Sequence, residues 1–514
     1  MEAAMPPSFI DLVEQNLGGM DTAVHAVSAD NLIRIVDTPH IWGQPMDASA
    51  GALAKQSVQS MADTVETIIG TAERHVDVVS LNPPTGVFQK AVENGLLALA
   101  ERSKSSPITV RFLFGYVVVY DTMTTFVQRI SAVCRDNKLP MTNLNIVIGQ
   151  LSTKFVSASW NHAKIVAADG HIALVGGHNL WDEAYGTYPP VHDVSVQVYG
   201  DAAAHAQQFT EWLWQTGGTI LIAKKINATY GVDTLAPGTD RDRLTLIKPA
   251  PPTAQQKAPR TVVGEAFEEP EEDDPGWVKG RVLALGRGGA LGHNASDVAK
   301  EQIILNAQRT LKICQQDLLF TGAFKEREHL VCHWIANALL ANTELEVQVI
   351  ISPIDASGGQ QQYSWGSGAV GTHELFKRLL TEKSKSSPKG QADTALVADA
   401  MKRLKVAPFC FTNVTFTAEG TDYRWPAPPP GSRIGRMGTT IPTPSLANHD
   451  PAPGLHAKVY IADDSVYYVG SDNLYPHNLM EFGYLVEGPA CAAFIRDYWT
   501  PAWSASAPHA IKNK

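Results

Sequence analysis

Apolar positions along this chain alternate between two kinds of run. Short, nearly continuous apolar stretches rich in β-branched and aromatic residues have strand length, as in Ile108-Thr-Val110-Arg-Phe112-Leu-Phe114 and Leu345-Glu-Val347-Gln-Val349-Ile-Ile351. The junctions that precede them repeat. Ala72-Glu-Arg74-His-Val76-Asp-Val78-Val79 is echoed by Ala307-Gln-Arg309-Thr-Leu311-Lys-Ile313, each reading as an amphipathic helix end that runs into a buried strand. A third strand is expected at Leu144-Asn-Ile146-Val147-Ile148 and at Val414-Thr-Phe416, and each half closes on a Phe and a Trp: Phe209 with Trp214, Phe494 with Trp499. Strands alternating with helices in both halves predict an α/β class.

The echo divides the chain into a first half, 1–235, a second half, 277–514, and a connecting stretch, 236–276. That stretch is rich in Pro, Ala and Gln and carries the acidic run Glu268-Glu-Pro-Glu-Glu-Asp-Asp274; it reads as a solvated linker. Glycine- and proline-rich aromatic segments at Gly358–Gly368 and Trp425–Gly431 are expected to be loops that contact substrate. Tyr116-Val-Val-Val-Tyr120 is either core or an apolar lip facing lipid.

Composition narrows the class. With 514 residues the chain exceeds one core, and 44% hydrophobic against 18% charged residues indicates a packed globular protein. A net charge of −10 without a basic run argues against sequence-independent nucleic-acid binding. The five cysteines, Cys134, Cys314, Cys332, Cys410 and Cys491, are scattered and lack C-x-x-C spacing, so buried thiols are expected rather than a disulfide set or a zinc site. No apolar run reaches transmembrane length. The N-terminus Met1-Glu-Ala-Ala-Met-Pro-Pro lacks a basic region and an apolar core, so it reads as cytoplasmic or as exported by a non-classical route.

The chemistry lies in a motif that occurs twice in one register. His162-Ala-Lys164, Asp169, Gly176-Gly177 and Asn179 match His456-Ala-Lys458, Asp463, Gly470-Ser471 and Asn473, with Lys two, Asp seven and Asn seventeen residues after His. Alternate strand residues share a face, so each imidazole lies beside its own ammonium, an unfavourable pairing unless an anion joins them. Two such half-sites suit a phosphodiester. One neutral imidazole attacks phosphorus and the other, protonated, serves the leaving oxygen; the two lysines and two asparagines hold the phosphate oxygens. The ammoniums fill the place of a metal, so no metal or other cofactor is expected.

A catalytic imidazole needs a carboxylate to fix its tautomer. Asp169 and Asp463 have the opposite strand parity and adjoin a turn, which assigns them, with Gly176, Gly177, Gly470 and Ser471, to the structural part of the motif. Asp193 in Val191-His-Asp193 and Glu481 in Met480-Glu481-Phe, each at the start of a following strand, are the better partners. His178 and His192 read as further polar residues lining the cleft.

At these residues the chain resembles the phospholipase D superfamily and, within it, the secreted actinomycete-type bacterial enzymes. The likeness also runs through Ser159-Trp-Asn-His162, Gln315-Gln-Asp317, and Asp463 through Asn473-Leu474-Tyr-Pro to Glu481-Phe-Gly-Tyr. Glu481 stands where that group usually has Asp. The resemblance implies two α-β-α sandwich halves about a pseudo-twofold axis, with one active site at their interface. It implies hydrolysis of phosphatidylcholine-type lipids to phosphatidic acid, head-group exchange with alcohols, and a monomer that meets a membrane or micelle surface. His162 would be the nucleophile and His456 the acid/base, with Asp193 and Glu481 each serving the histidine of the opposite half. Two other readings stand beside it: a metal-independent phosphodiesterase of nucleic acid or a small diester, and a lipid-binding protein that has lost catalysis.

Overall fold

The computed structural model describes residues 8–512 apart from 45–47, 117–122, 154–158, 187–189, 217–218, 236–269, 272–273, 322–325, 354–367, 386–389, 413–416, 419–420, 423–452 and 475–476. Most of the expected linker and both expected substrate loops, together with most of the Tyr116–Tyr120 run and the Val414–Phe416 strand, lie outside the described residues.

The first half supplies β1 (His25–Thr38), β2 (His75–Ser80), β3 (Ile108–Gly115), β4 (Leu144–Thr153), β5 (Ile165–Ala168), β6 (Ile172–Gly176), β7 (Val191–Tyr199), β8 (Thr219–Ile226) and β9 (Val232–Leu235). The second supplies β10 (Val278–Arg287), β11 (Thr310–Gln315), the small hairpin β12 (Leu319–Thr321) and β13 (Glu326–Glu328), β14 (Glu346–Ile351) and β15 (Leu404–Pro408). A second small hairpin, β16 (Thr417–Ala418) with β17 (Thr421–Asp422), is followed by β18 (Gly454–Leu455), β19 (Lys458–Ala462), β20 (Val466–Gly470) and β21 (Glu481–Glu487).

Pairings run β9-β8-β4-β3-β2-β5-β6-β7-β1 in the first half and β10-β21-β20-β19-β11-β14-β15 in the second. The two series join where β1 meets β10 antiparallel, His25 opposite Leu285 and Ile33 opposite Val278. Reading outward from that seam, each half repeats the same order and directions: β1, β7, β6, β5, β2, β3, β4 against β10, β21, β20, β19, β11, β14, β15. The halves are thus related by a pseudo-twofold axis through the seam.

Every residue of β2, β3, β5, β6 and β7 is buried; β3, β5 and β6 accordingly read as apolar-rich runs, while β7 buries His192, Asp193, Ser195 and Gln197 between its valines. Successive residues point into different layers. Val78, Phe112 and Ile146 pack in a core with Val65 and Leu96 of the helices Ala48–Gly70 and Gly86–Arg102. Val79, Leu113 and Val147 pack with Phe209, Leu213 and Trp214 of Asp201–Gln215, in a core that continues into the second half. Helices therefore cover both faces, the α-β-α arrangement expected.

One strand differs from expectation. The third parallel strand of the second half is Leu404–Pro408, entered directly from the helix Thr394–Arg403. Its short Leu-Lys-Val-Ala-Pro run carries too little apolar signal to stand out beside Val414-Thr-Phe416. All five cysteines are buried and unbridged, and no described helix is long and apolar enough to cross a membrane.

Candidate active site

Each motif hairpin turns on its aspartate. Asp169 and Gly170 have φ of 55° and 72°, and Asp463 and Asp464 have 51° and 56°, the left-handed pair that a tight primed turn requires. The Asp169 carboxylate accepts the backbone N–H of Glu73, Arg74 and His75, at 2.7–2.9 Å. Asp463 accepts those of Gln308, Arg309 and Thr310 at 2.7–2.9 Å. The two aspartates thus fasten the motif hairpins to the entry of β2 and β11 and stay away from the histidines.

Just before each motif histidine the chain makes a short parallel bridge to the opposite half. Asn161 bridges Met480, with the His162 N–H donating to the Met480 carbonyl at 2.9 Å. Leu455 bridges His192, with the His456 N–H donating to the His192 carbonyl at 2.8 Å. The residue after each bridge partner is a carboxylate. Glu481 therefore sets both oxygens 2.9 Å from His162 Nδ1, and Asp193 sets Oδ2 2.6 Å from His456 Nδ1. Assigning each Nδ1 the proton follows from these partners.

The carboxylates are held differently. Ser471 Oγ donates to Glu481 Oε2 at 2.6 Å and accepts the Phe482 N–H. Asp193 has glycine at the matching position: a β-carbon on Gly177 would lie 2.0 Å from Asp193 Oδ1 and displace it. Its second contacts are the Tyr185 hydroxyl at 3.1 Å and the Val194 N–H. Gly470 is fixed by packing, since a β-carbon there would meet the Gly483 Cα at 2.6 Å.

Lys164 and Lys458 are buried, and each ammonium donates to the carbonyl of its own motif histidine, Lys164 at 2.7 Å. Asn179 and Asn473 are buried beside them, and the Asn179 side-chain oxygen has no hydrogen-bond partner among the described residues. Burial lowers Lys164 to about 7 and Lys458 to about 8, against the pull of Glu481 and Asp193, which act on both. Each lysine thus feels the carboxylates of both halves, as groups of a single site do. Burial, reinforced by Lys164, Lys458 and His477, holds His162 well below the usual histidine range. Burial and Lys458 hold His456 at about 3 despite Asp193. Burial acts to raise Asp193, but His456 and Lys458 outweigh it and keep the carboxylate below its ordinary range. Glu481 differs: burial raises it to about 7, with His477 and Lys164 opposing. With neutral imidazoles, two ammoniums and two carboxylates the site is balanced, and an entering diester supplies the negative charge that favours a protonated histidine.

His178 and His192 do not line an open cleft. His178 is buried between the hydroxyls of Thr38 and Ser195, at 2.7 and 2.8 Å. His192 is fully buried between the rings of Phe409 and Tyr498, with Trp42 and Phe411 edge-on.

Sequence reasoning missed Tyr185 and a buried network behind Glu481. In that network Asp472 Oδ2 pairs with Lys300 at 2.7 Å and accepts from Ser296. The one available signal was Lys300 on the inner face of the helix Ala295–Asn306, in line with Ser296, Ala299 and Ile303. Asp472, His477 and Glu481 bring ligand-type atoms within 4.8 Å of one another. Their carboxylates already face Lys300, Ser296, Ser471 and His162, so the cluster is an ion network.

The duplicated α-β-α fold with paired His, Lys and Asn at the junction suits a phosphodiester, and the chain is similar to members of the phospholipase D superfamily. No family model matches it. It is 26% identical over 493 residues to phospholipase D of Streptomyces antibioticus, spanning 92% of this chain and 80% of that one. It is 44% identical over 61 residues to cardiolipin synthase A of Pseudomonas putida, 11% of this chain and 13% of that one. The crystal structure of a phosphatidylserine synthase from Haemophilus influenzae shares the fold, with a TM-score of 0.55 at 14% identity over 96% of this chain and 90% of that one.

Proposed function

We propose that this protein is a phospholipase D that cleaves the distal phosphodiester of glycerophospholipids of the phosphatidylcholine type at a membrane or micelle surface. The observation that carries the reading is the pair of crossed couples, His162 with Glu481 and His456 with Asp193, beside two buried lysines. With Nδ1 engaged, Nε2 is the reacting nitrogen of each ring. His162 attacks phosphorus, the bond to the head-group oxygen breaks, and that oxygen takes its proton from His456. Water or an alcohol then gives its proton to His456 and displaces the phosphohistidine, releasing phosphatidic acid or a phosphatidyl alcohol. Lys164, Lys458, Asn179 and Asn473 stabilise the equatorial oxygens as charge builds on them.

The likeness to the Streptomyces phospholipase D along most of the chain supports a phospholipid substrate, and a net charge of −10 argues against a nucleic acid. The test is purified protein with phosphatidylcholine, phosphatidylserine, phosphatidylglycerol or cardiolipin, each with ethanol, and mass analysis of the lipids. Phosphatidylethanol and phosphatidic acid from phosphatidylcholine are expected. Their absence from every lipid, with cleavage of single-stranded DNA or a small diester instead, would overturn the lipid assignment.

A further inference from the structure

Behind Glu481 the second half carries a row of charges with no match among the described residues of the first half. Arg287 Nε meets Asp297 at 3.0 Å, Lys300 joins Asp297 at 2.8 Å to Asp472 at 2.7 Å, and His477 comes next. Its Nε2 is 3.5 Å from Asp472 Oδ1, and its Nδ1 is 3.7 Å from Glu481 Oε1. The row thus alternates Arg287, Asp297, Lys300, Asp472, His477, Glu481. Three carboxylates stand against two fixed cations, and the place between Asp472 and Glu481 is the one where a third positive charge completes the alternation. Among the described residues the first half has nothing comparable, for His178 stands at the position of Asp472 and bonds two hydroxyls.

The ring can serve two states. Nε2–H donates to the Asn473 carbonyl at 2.9 Å in both. Nδ1 either accepts the Leu479 N–H at 3.3 Å, leaving the ring neutral, or carries a proton directed at Glu481. Glu481 is otherwise faced by His162, Lys164 and Ser471, and more distantly by Lys458, Arg287 and Asp472; His477 is flanked by Asp472, Glu481, Arg287 (whose guanidinium holds the His477 carbonyl) and His329.

We propose that His477 is a positioning residue: protonated between Asp472 and Glu481, it keeps Glu481 ionised, and so keeps the proton of His162 on Nδ1 and the lone pair on Nε2. Were Glu481 to hold a proton, its hydroxyl would donate to His162 Nδ1, and the ring would present Nε2–H, which cannot attack phosphorus. His162 is thereby tied to a titrating group that, among the described residues, has no counterpart at His456. This inference rests on reading His162 as a reacting group.

The test is the pH dependence of kcat/KM on a soluble short-chain phosphatidylcholine for the full chain, for His477→Gln and for His477→Lys. In His477→Gln, Glu481 loses its cation and retains its proton to higher pH. Its acidic limb is expected to move up by about one pH unit, with activity on the alkaline side recovering to within about threefold of wild type. His477→Lys, which keeps the charge, is expected to leave the limb in place. A uniform loss at every pH in His477→Gln, with the limb unmoved, would reduce His477 to packing and overturn the proposal. Imidazole nitrogen NMR of His162 reads the tautomer without turnover: the Nε2–H form is expected to grow near neutral pH in His477→Gln, and an unchanged tautomer would also overturn it. A wild type that cleaves no diester yet shows the tautomer change would sink the function and leave the coupling standing.

Discussion

Glu481 lies 319 residues beyond His162 in the chain, yet both its carboxylate oxygens stand 2.9 Å from the Nδ1 of that histidine. The mirror couple, His456 with Asp193, is closed by a single oxygen and spans 263 residues. Crossed pairing makes the two motifs one device. His162→Ala and His456→Ala are each expected to abolish nearly all turnover, and the double variant to lose little more. Single-turnover assays on phosphatidylcholine check this; losses that add would mean the histidines act independently.

On the proposed mechanism Asp193, 2.6 Å from His456 Nδ1, fixes the His456 tautomer without entering the chemistry. Asp193→Asn preserves shape but offers an amide where a carboxylate stood, and a fall in kcat of about a thousandfold to ten-thousandfold is expected. Near-wild-type turnover in a folded Asp193→Asn protein would remove Asp193 from the mechanism.

Lys164 and Lys458, lowered by burial to about 7 and about 8, carry full charge only below those values. As pH rises through this window the ammoniums lose their protons and the attraction for an anion with them. Sulfate, whose own charge is constant there, is expected to inhibit about tenfold more weakly at pH 9 than at pH 6.5. An inhibition constant that stays flat across that range would show that the lysines do not hold the anion.

Asp169 is a fastening, not a reagent. Asp169→Ala leaves three backbone N–H groups of the β2 entry without their acceptor, and a loss of about 2–4 kcal/mol is expected by urea denaturation, with kcat of the folded fraction retained. A stable but inactive Asp169→Ala protein would contradict this role.

His192 is lowered to about 4 by burial in its aromatic box. Between pH 6.5 and that value the unfolded chain binds a proton that the folded chain refuses, so this residue makes stability fall as pH falls, by up to about 3 kcal/mol. His192→Phe removes the group that titrates. Its stability relative to wild type is expected to improve steadily from pH 6.5 to pH 4; a constant difference would show that His192 is already protonated when folded.

The sequence made the repeated helix–strand order legible because strands buried on both faces leave apolar-rich runs of strand length, as in Ile108–Phe114. The two motifs were legible because one spacing recurs with four polar residue types. What stayed hidden depends on tertiary approach. Tyr185 reaches Asp193 only because its short helix folds back over Asn179, and no spacing announces that. His477 and Lys300 are 177 residues apart in the sequence and meet only through Asp472. Leu404–Pro408 was overlooked because a five-residue strand with a lysine inside and a proline at its end barely differs from a loop.

The exchange of carboxylates between halves also sets the order in which the two couples can close during synthesis. On the ribosome His162 emerges 319 residues before its partner Glu481, and Asp193 emerges 263 residues before His456. A polypeptide that stops before β21 therefore leaves His162 without its carboxylate. Both crossed couples can exist only once β21 has been made.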